Sequence, residues 1–122
     1  MHECNLTDPL SDQQCGEMIN AVGDALYVIG GKWTLRIIIA LSNGRKRFNE
    51  LQKALNGISA RVLSNDLKDL ELNGFVRRTE RSESSNLLVE YELLEYSHTL
   101  VNVITSLNEW GTMHKKKIMH KD

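Results

Sequence analysis

Between Asn49 and Gly74 the chain carries two helix-forming stretches separated by an Asn56-Gly57 break, and no other segment restricts the fold as strongly. Asn49 is placed to cap a short helix over residues 50–55, because its side-chain oxygen can accept from the free amides of a first turn. Ser59 caps a longer helix that runs to about Leu72, and Gly74 stands where a helix end wants a left-handed residue. Two helices of this length joined by a short link containing Gly form a helix-turn-helix pattern. In the second of them Ala60, Leu63, Leu67 and Leu70 make an inward stripe, whereas Arg61, Ser64, Asn65 and Lys68 make an outward one at i, i+3, i+4 and i+7.

Past Gly74 the hydrophobic period changes from helical to alternating. Residues 75–81 and 88–94 read as two strands, the second with Val89, Tyr91 and Leu93 inward and Glu90 and Glu92 outward, and residues 82–86 as the hairpin tip. Upstream, Met18, Ile19, Val22, Ala25, Leu26 and Ile29 recur at three- and four-residue steps, which predicts an amphipathic helix ended by Gly30-Gly31. Residues 33–42 form a helix that is apolar nearly all round through Leu35, Ile37, Ile38, Ile39 and Leu41, so it belongs at the centre of the domain, and Asn43-Gly44 closes it. The last helix, from about Tyr96, aligns Leu100, Val103, Ile104, Leu107 and Trp110 and then reaches Lys115-Lys116-Lys117, where cations suit the negative end of the helix dipole. Residues 1–14, which contain Pro9, read as a loose segment ahead of one domain over residues 15–122. The fold class is mainly α with a small β-hairpin, a winged helix-turn-helix flanked by N- and C-terminal helices whose apolar stripes exceed what the core can cover. Such stripes predict a homodimer, with Met18, Ile19, Val22, Leu26, Leu100, Val103, Ile104, Leu107 and Trp110 at its interface.

A formal net charge of −1 hides a segregated distribution. Residues 1–44 hold two basic and five acidic side chains, residues 45–81 nine and five, and residues 82–122 four and six, giving −3, +4 and −2. The basic block coincides with the helix-turn-helix, and a basic face is what attraction to phosphate requires. On the outward stripe Arg61 has the fork for guanine, Asn65 the amide for adenine, and Ser64 and Lys68 the donors for phosphates or base edges, with Ser59 at the helix start. An ordinary solvated helix face has the same polarity; its place in a helix-turn-helix, inside the basic block and ahead of a hairpin, favours double-stranded DNA as the partner. Arg45-Lys46-Arg47 and the hairpin residues Arg77, Arg78 and Arg81 are candidate phosphate contacts, and Lys32 can join the free amides of the helix that follows it.

Other classes find little support. Cys4 and Cys15 make no disulfide framework or zinc site, His2, His98, His114 and His120 are scattered, and no triad or phosphate-loop pattern occurs, so the expectation is no enzyme, no cofactor and no metal. The start lacks the pattern of a leader, and the longest aliphatic run, residues 37–41, is far short of a membrane span, which predicts a cytoplasmic chain with no membrane partner. A winged helix that contacts only proteins is the competing reading, and pairing of Arg61 and Lys68 with acids is the feature that favours it.

The run Ala25-Leu26-Tyr27-Val28-Ile29-Gly30-Gly31-Lys32-Trp33-Thr34-Leu35, followed by Arg47-Phe48-Asn49-Glu50-Leu51, Gly57-Ile58-Ser59-Ala60-Arg61-Val62-Leu63-Ser64, Leu67-Lys68-Asp69-Leu70-Glu71, Asn73-Gly74-Phe75-Val76 and Val89-Glu90-Tyr91, resembles the HxlR-type winged-helix regulators, relatives in fold of the MarR regulators. The likeness covers residues 20–111 in order. It implies a dimer built from the terminal helices, a recognition helix over residues 59–72 and a wing over residues 77–93. Members that sense oxidants carry a cysteine six residues before the position of Leu26. Here that residue is Asn20, which leaves Cys15, five residues upstream, as the candidate redox-sensing thiol. The prolines common before the second wing strand are replaced by Asn86-Leu87-Leu88, and Asp66 stands where a basic residue is common.

Overall fold

The computed structural model describes residues 9–120, which fall into one compact unit ending at Lys32 and another starting at Trp33. The first unit is helix α1, Asp12–Ile29. It starts three residues ahead of Cys15 because Ser11 and Gln14 form a capping box: the Ser11 hydroxyl accepts from the Gln14 amide at 3.1 Å, and the Gln14 side-chain oxygen accepts from the Ser11 amide at 2.9 Å. The loose segment expected over residues 1–14 therefore loses its last three positions to the helix; residues 1–8, with Cys4, lie outside the described residues. Gly30 ends α1 in a right-handed conformation with φ of −82°. The glycine is required for another reason, since a Cβ there would lie 2.3 Å from the Leu26 carbonyl oxygen.

The second unit runs through α2 (Thr34–Leu41), β1 (Lys46–Arg47), α3 (Phe48–Ala54), α4 (Ala60–Leu72), β2 (Val76–Glu83), β3 (Asn86–Leu93), a 3-10 helix (Glu95–Leu100) and α5 (Val101–Met119). Its core gathers Ile37, Ile38 and Leu41 of α2 with Leu51, Leu55, Ile58, Leu63, Leu67, Leu70, Phe75, Val76 and Tyr91. Each fully buried aliphatic side chain contributes on the order of 1.5–3 kcal/mol of transfer free energy. The central place of α2 follows its composition, although Ile39 is 49% exposed. Leu100, expected at the interface, belongs to this core at 8% exposure and leaves little surface for a second chain. Ser97, the buried polar residue beside it, donates from its hydroxyl to the Leu94 carbonyl at 2.7 Å and so carries no unmet hydrogen-bonding cost.

Three local readings change. Helix α3 starts at Phe48, so Asn49 sits inside its first turn; Glu50 supplies the cap instead, its carboxylate accepting from the Arg47 amide at 2.9 Å. Lys46 and Arg47, assigned to no element by the sequence reading, form a strand that pairs with β3 as Lys46↔Tyr91 and Arg47↔Glu90, giving a three-stranded sheet of order β1-β3-β2. The hairpin tip is only Ser84-Ser85, with φ of 49° and 74°, the left-handed pair that a two-residue hairpin turn uses. The strands extend up to it on both sides, through Glu83↔Asn86.

Candidate nucleic-acid interface

Helix α4 is held from inside. Leu63, Leu67 and Leu70 are at most 2% exposed, and the Ser59 hydroxyl caps the helix by accepting from the Val62 amide at 3.1 Å. Anchored this way, α4 turns Arg61, Asn65 and Lys68 outward to solvent and leaves Ser64 half-buried at the edge; Ala60, expected on the inward stripe, is exposed. Neither Arg61 nor Lys68 has an ion-pair or hydrogen-bond partner among the described residues. Asp66, on the same helix, is half-buried, and this desolvation, aided by the negative charge of Asp69, lifts its carboxyl above the usual carboxylate range.

The hairpin treats its cations differently. Arg77 lies directly across from Glu92 and donates to it through Nε at 2.9 Å, which holds the Glu92 carboxyl below its ordinary value, with Arg45 adding to the effect. Arg78 is paired with Glu80, and Arg81 lies 3.4 Å from Glu90 and 3.9 Å from Glu83. Alternation along β2 puts Arg78 on one face with Val76 and its cross-strand partner Tyr91, and Arg77 and Arg81 on the other. Arg78 and Arg81, nominated together as phosphate contacts, are thereby separated.

Between α4 and the hairpin lies a cleft of about 410 Å³ lined by Ser64, Leu67, Lys68, Glu71, Arg78 and Tyr91. It joins three nominated residues from two elements and adds Glu71 and Tyr91, to which the sequence reading gives no binding role. The alternation of basic and acidic residues over 77–83 was the available signal for the paired arginines; Tyr91 reads only as an inward strand residue, and Glu71 only as part of a family motif. In β1 Lys46 is half-buried, and Arg45 and Arg47 beside it are exposed.

The remaining nominations lie elsewhere. Lys32 is exposed and closes the first unit. Cys15 is a free, half-buried thiol within α1. Neither α1 nor α5 contains a buried residue. On α1, Ile19, Val22 and Leu26 are exposed and Met18 is half-buried; on α5, Val103, Leu107 and Trp110 are exposed and Ile104 is half-buried. The exposed apolar residues of α5 continue past the expected stripe to Met113, Ile118 and Met119. Among the described residues no group of His, Cys, Asp and Glu is placed to hold a metal ion, and no helix is long and apolar enough to cross a membrane.

Residues 28–119 match the HxlR-like helix-turn-helix family. The chain is 35% identical over 98 residues to the HTH-type transcriptional regulator YtcD of Bacillus subtilis (strain 168), across 80% of this chain and 77% of that one. The crystal structure of YtcD superposes with a TM-score of 0.74 over 79% of this chain and 97% of its own. A MarR-family transcriptional regulator from Enterococcus faecalis V583 superposes with a TM-score of 0.70 at 33% identity, over 92% of this chain and 96% of that one. The redox regulator HypR in its reduced form does so with a TM-score of 0.74 at 33% identity, over 83% and 99%. A helix-turn-helix followed by a hairpin wing, matched along three quarters of the chain, places this protein in the HxlR-like helix-turn-helix family, as a transcriptional regulator rather than an enzyme.

Proposed function

We propose that the protein binds double-stranded DNA in a sequence-specific manner as a homodimer, on a two-fold symmetric site, with α4 as the recognition helix. The observation that carries this reading is the outer face of α4, where Arg61, Asn65 and Lys68 are exposed and the two cations are unpaired among the described residues. Arg61 and Asn65 read base edges, while Ser64, Lys68, Arg45, Lys46 and Arg47 hold phosphates and set the register. A winged helix used only for protein contacts fits this face less well, because two unpaired cations on one helix offer no apolar anchor to a protein partner.

The dimer is supported by two long helices, α1 and α5, that bury none of their own residues and expose large apolar side chains along their length. A closed two-fold pair presents α4 twice in opposite directions, so the half-sites lie about one helical turn apart, roughly 10 bp, or a small multiple of that. Selection of bound sequences from random duplexes, followed by footprinting, is the test, and a symmetric footprint is the expected result. A footprint over a single half-site with one chain per duplex, or a mass in solution that stays at 13.9 kDa at high concentration, overturns it.

A further inference from the structure

The cleft between α4 and the hairpin holds an unusual balance of groups. Ser64, Lys68 and Glu71 stand at i, i+4 and i+7 on α4, Leu67 lies among them, and Arg78 and Tyr91 face them from directly paired positions of β2 and β3. Arg78 is engaged by Glu80 and lies beside its cross-strand partner Tyr91, yet a guanidinium has five donors and this leaves some free. Lys68 has no acid partner among the described residues. One oxygen of Glu71, Oε1, is buried with no hydrogen-bond partner. Buried acceptors are nearly always satisfied, because leaving one unmade costs its full desolvation. Here the unmet group is an acid inside a site otherwise built of donors.

We propose that this cleft seats one backbone phosphodiester of duplex DNA, held by the Ser64 hydroxyl, the Lys68 ammonium and the Arg78 guanidinium, and that Glu71 limits how tightly it is held. The inference rests on the DNA-binding reading above. A phosphodiester presents two free oxygens and a single negative charge, and donors arriving from a helix and a strand can share them. Such a contact ties the hairpin to α4 once DNA is bound. Glu71 and the Glu80 that pairs with Arg78 together balance the two cations of the seat, so an entering phosphate meets no net positive charge; without Glu71 one positive charge is in excess and the seat holds phosphate more strongly.

The experiment uses duplexes of the selected sequence in which one linkage at a time is made neutral as a methylphosphonate. The wild-type chain is expected to lose affinity about tenfold at one linkage in each half-site, the size of a charge-assisted hydrogen bond. Arg78→Gln and, independently, Ser64→Ala lose their sensitivity at that linkage alone. Glu71→Gln binds every natural duplex several-fold more tightly, beyond the gain from Glu95→Gln outside the cleft, and that gain disappears on the duplex neutralised at the same linkage. Circular dichroism melting confirms that each variant is folded before it is scored. If the wild type and both cleft variants respond alike at every linkage, or if Glu71→Gln gains no more than Glu95→Gln, the seat is wrong and the DNA-binding reading survives. If the wild-type chain binds no duplex, both fall.

Discussion

On α4 the cations Arg61 and Lys68 stand seven residues apart and neither is ion-paired among the described residues, whereas on the β2–β3 hairpin Arg77, Arg78 and Arg81 each lie against a glutamate. The cause is geometric. Within α4 the neighbours of Arg61 at three and four residues are Ser64 and Asn65, neither acidic, and Glu71, three residues past Lys68, makes no ion pair with it. In the hairpin a period of two brings Glu80 beside Arg78 and Glu83 beside Arg81, and cross-strand pairing sets Glu92 opposite Arg77. The same residue type is thus available to an external anion in one region and partly neutralised in the other. Exposed pairs of this kind are worth only about 0–1 kcal/mol, so phosphate can compete for the hairpin arginines, but each glutamate lowers the potential that draws it in. Under the proposed DNA-binding reading, specificity is therefore expected to concentrate on α4, with the hairpin contributing a weaker share of positioning.

The largest effect sharpens the comparison through anchoring. Leu67 is 1% exposed beneath α4 and Leu87 is 61% exposed near the hairpin tip. Leu67→Ala is expected to cost about 2–5 kcal/mol in urea denaturation, as cavities of this kind do, while Leu87→Ala stays within about 0.5 kcal/mol. Equal costs at the two positions contradict the view that α4 is rigidly mounted and the tip is not. Next in size, Arg61→Ala is expected to remove roughly 1–3 kcal/mol of discrimination between operator and random duplex. Arg45→Ala or Lys46→Ala should instead weaken all duplexes alike and lower the salt slope by about one. An unchanged ratio of operator to random affinity in Arg61→Ala would remove it from the base-reading set. Smaller still, Arg81→Ala should lower that slope by less than one, because Glu83 and Glu90 already share its charge. A full unit lost there means the hairpin arginines behave like Arg45 and Lys46.

Much of this contrast was legible in the sequence, and its limits have physical causes. The α4 reading held because every signal agreed: a capping serine, leucines at helical spacing, a polar outer stripe and a glycine at φ of 80° just past the end. The dominance of local signals also explains the misses. Strand β1 was invisible because its two residues are charged and owe their conformation to pairing with Tyr91 and Glu90, more than forty residues away. The hairpin tip lacked the Asn-Gly or Asp-Gly that normally marks such a turn, and two serines adopt the left-handed pair instead. Asn49 lost the cap of α3 to Glu50 because a carboxylate one residue later reaches back to the Arg47 amide. Leu100 fitted the apolar stripe of the last helix equally well as an interface or a core residue, and periodicity does not separate the two. The cleft around Glu71 depends on tertiary placement of a helix against a hairpin, which no local pattern encodes.

The smallest predicted effect tests whether the two regions respond oppositely to acid. Asp66 on α4 has its carboxyl raised, by burial first and by Asp69 second. A group whose folded value exceeds its unfolded one places the native state at no disadvantage below the unfolded value, about pH 4, and reduces stability as pH rises through the folded value. Asp66→Asn is therefore expected to raise stability slightly at pH 7, with the gain fading as pH falls through the unfolded value and gone by about pH 2. Glu92 on the hairpin carries the opposite shift, because the Arg77 guanidinium favours its charged form. Its contribution is present above the unfolded value and is lost as pH falls through the folded one. Glu92→Gln should accordingly lower stability slightly at pH 7 and lose that effect in acid. Denaturation midpoints for both variants at pH 7 and at about pH 2 decide the matter. Shifts of the same sign at pH 7 mean that the acids of α4 and of the hairpin do not differ as their surroundings require. Removing the Asp66 charge also takes a negative group off the proposed recognition helix, so in the same preparation Asp66→Asn should bind all duplexes more tightly, with a gain that fades as salt screens the phosphates.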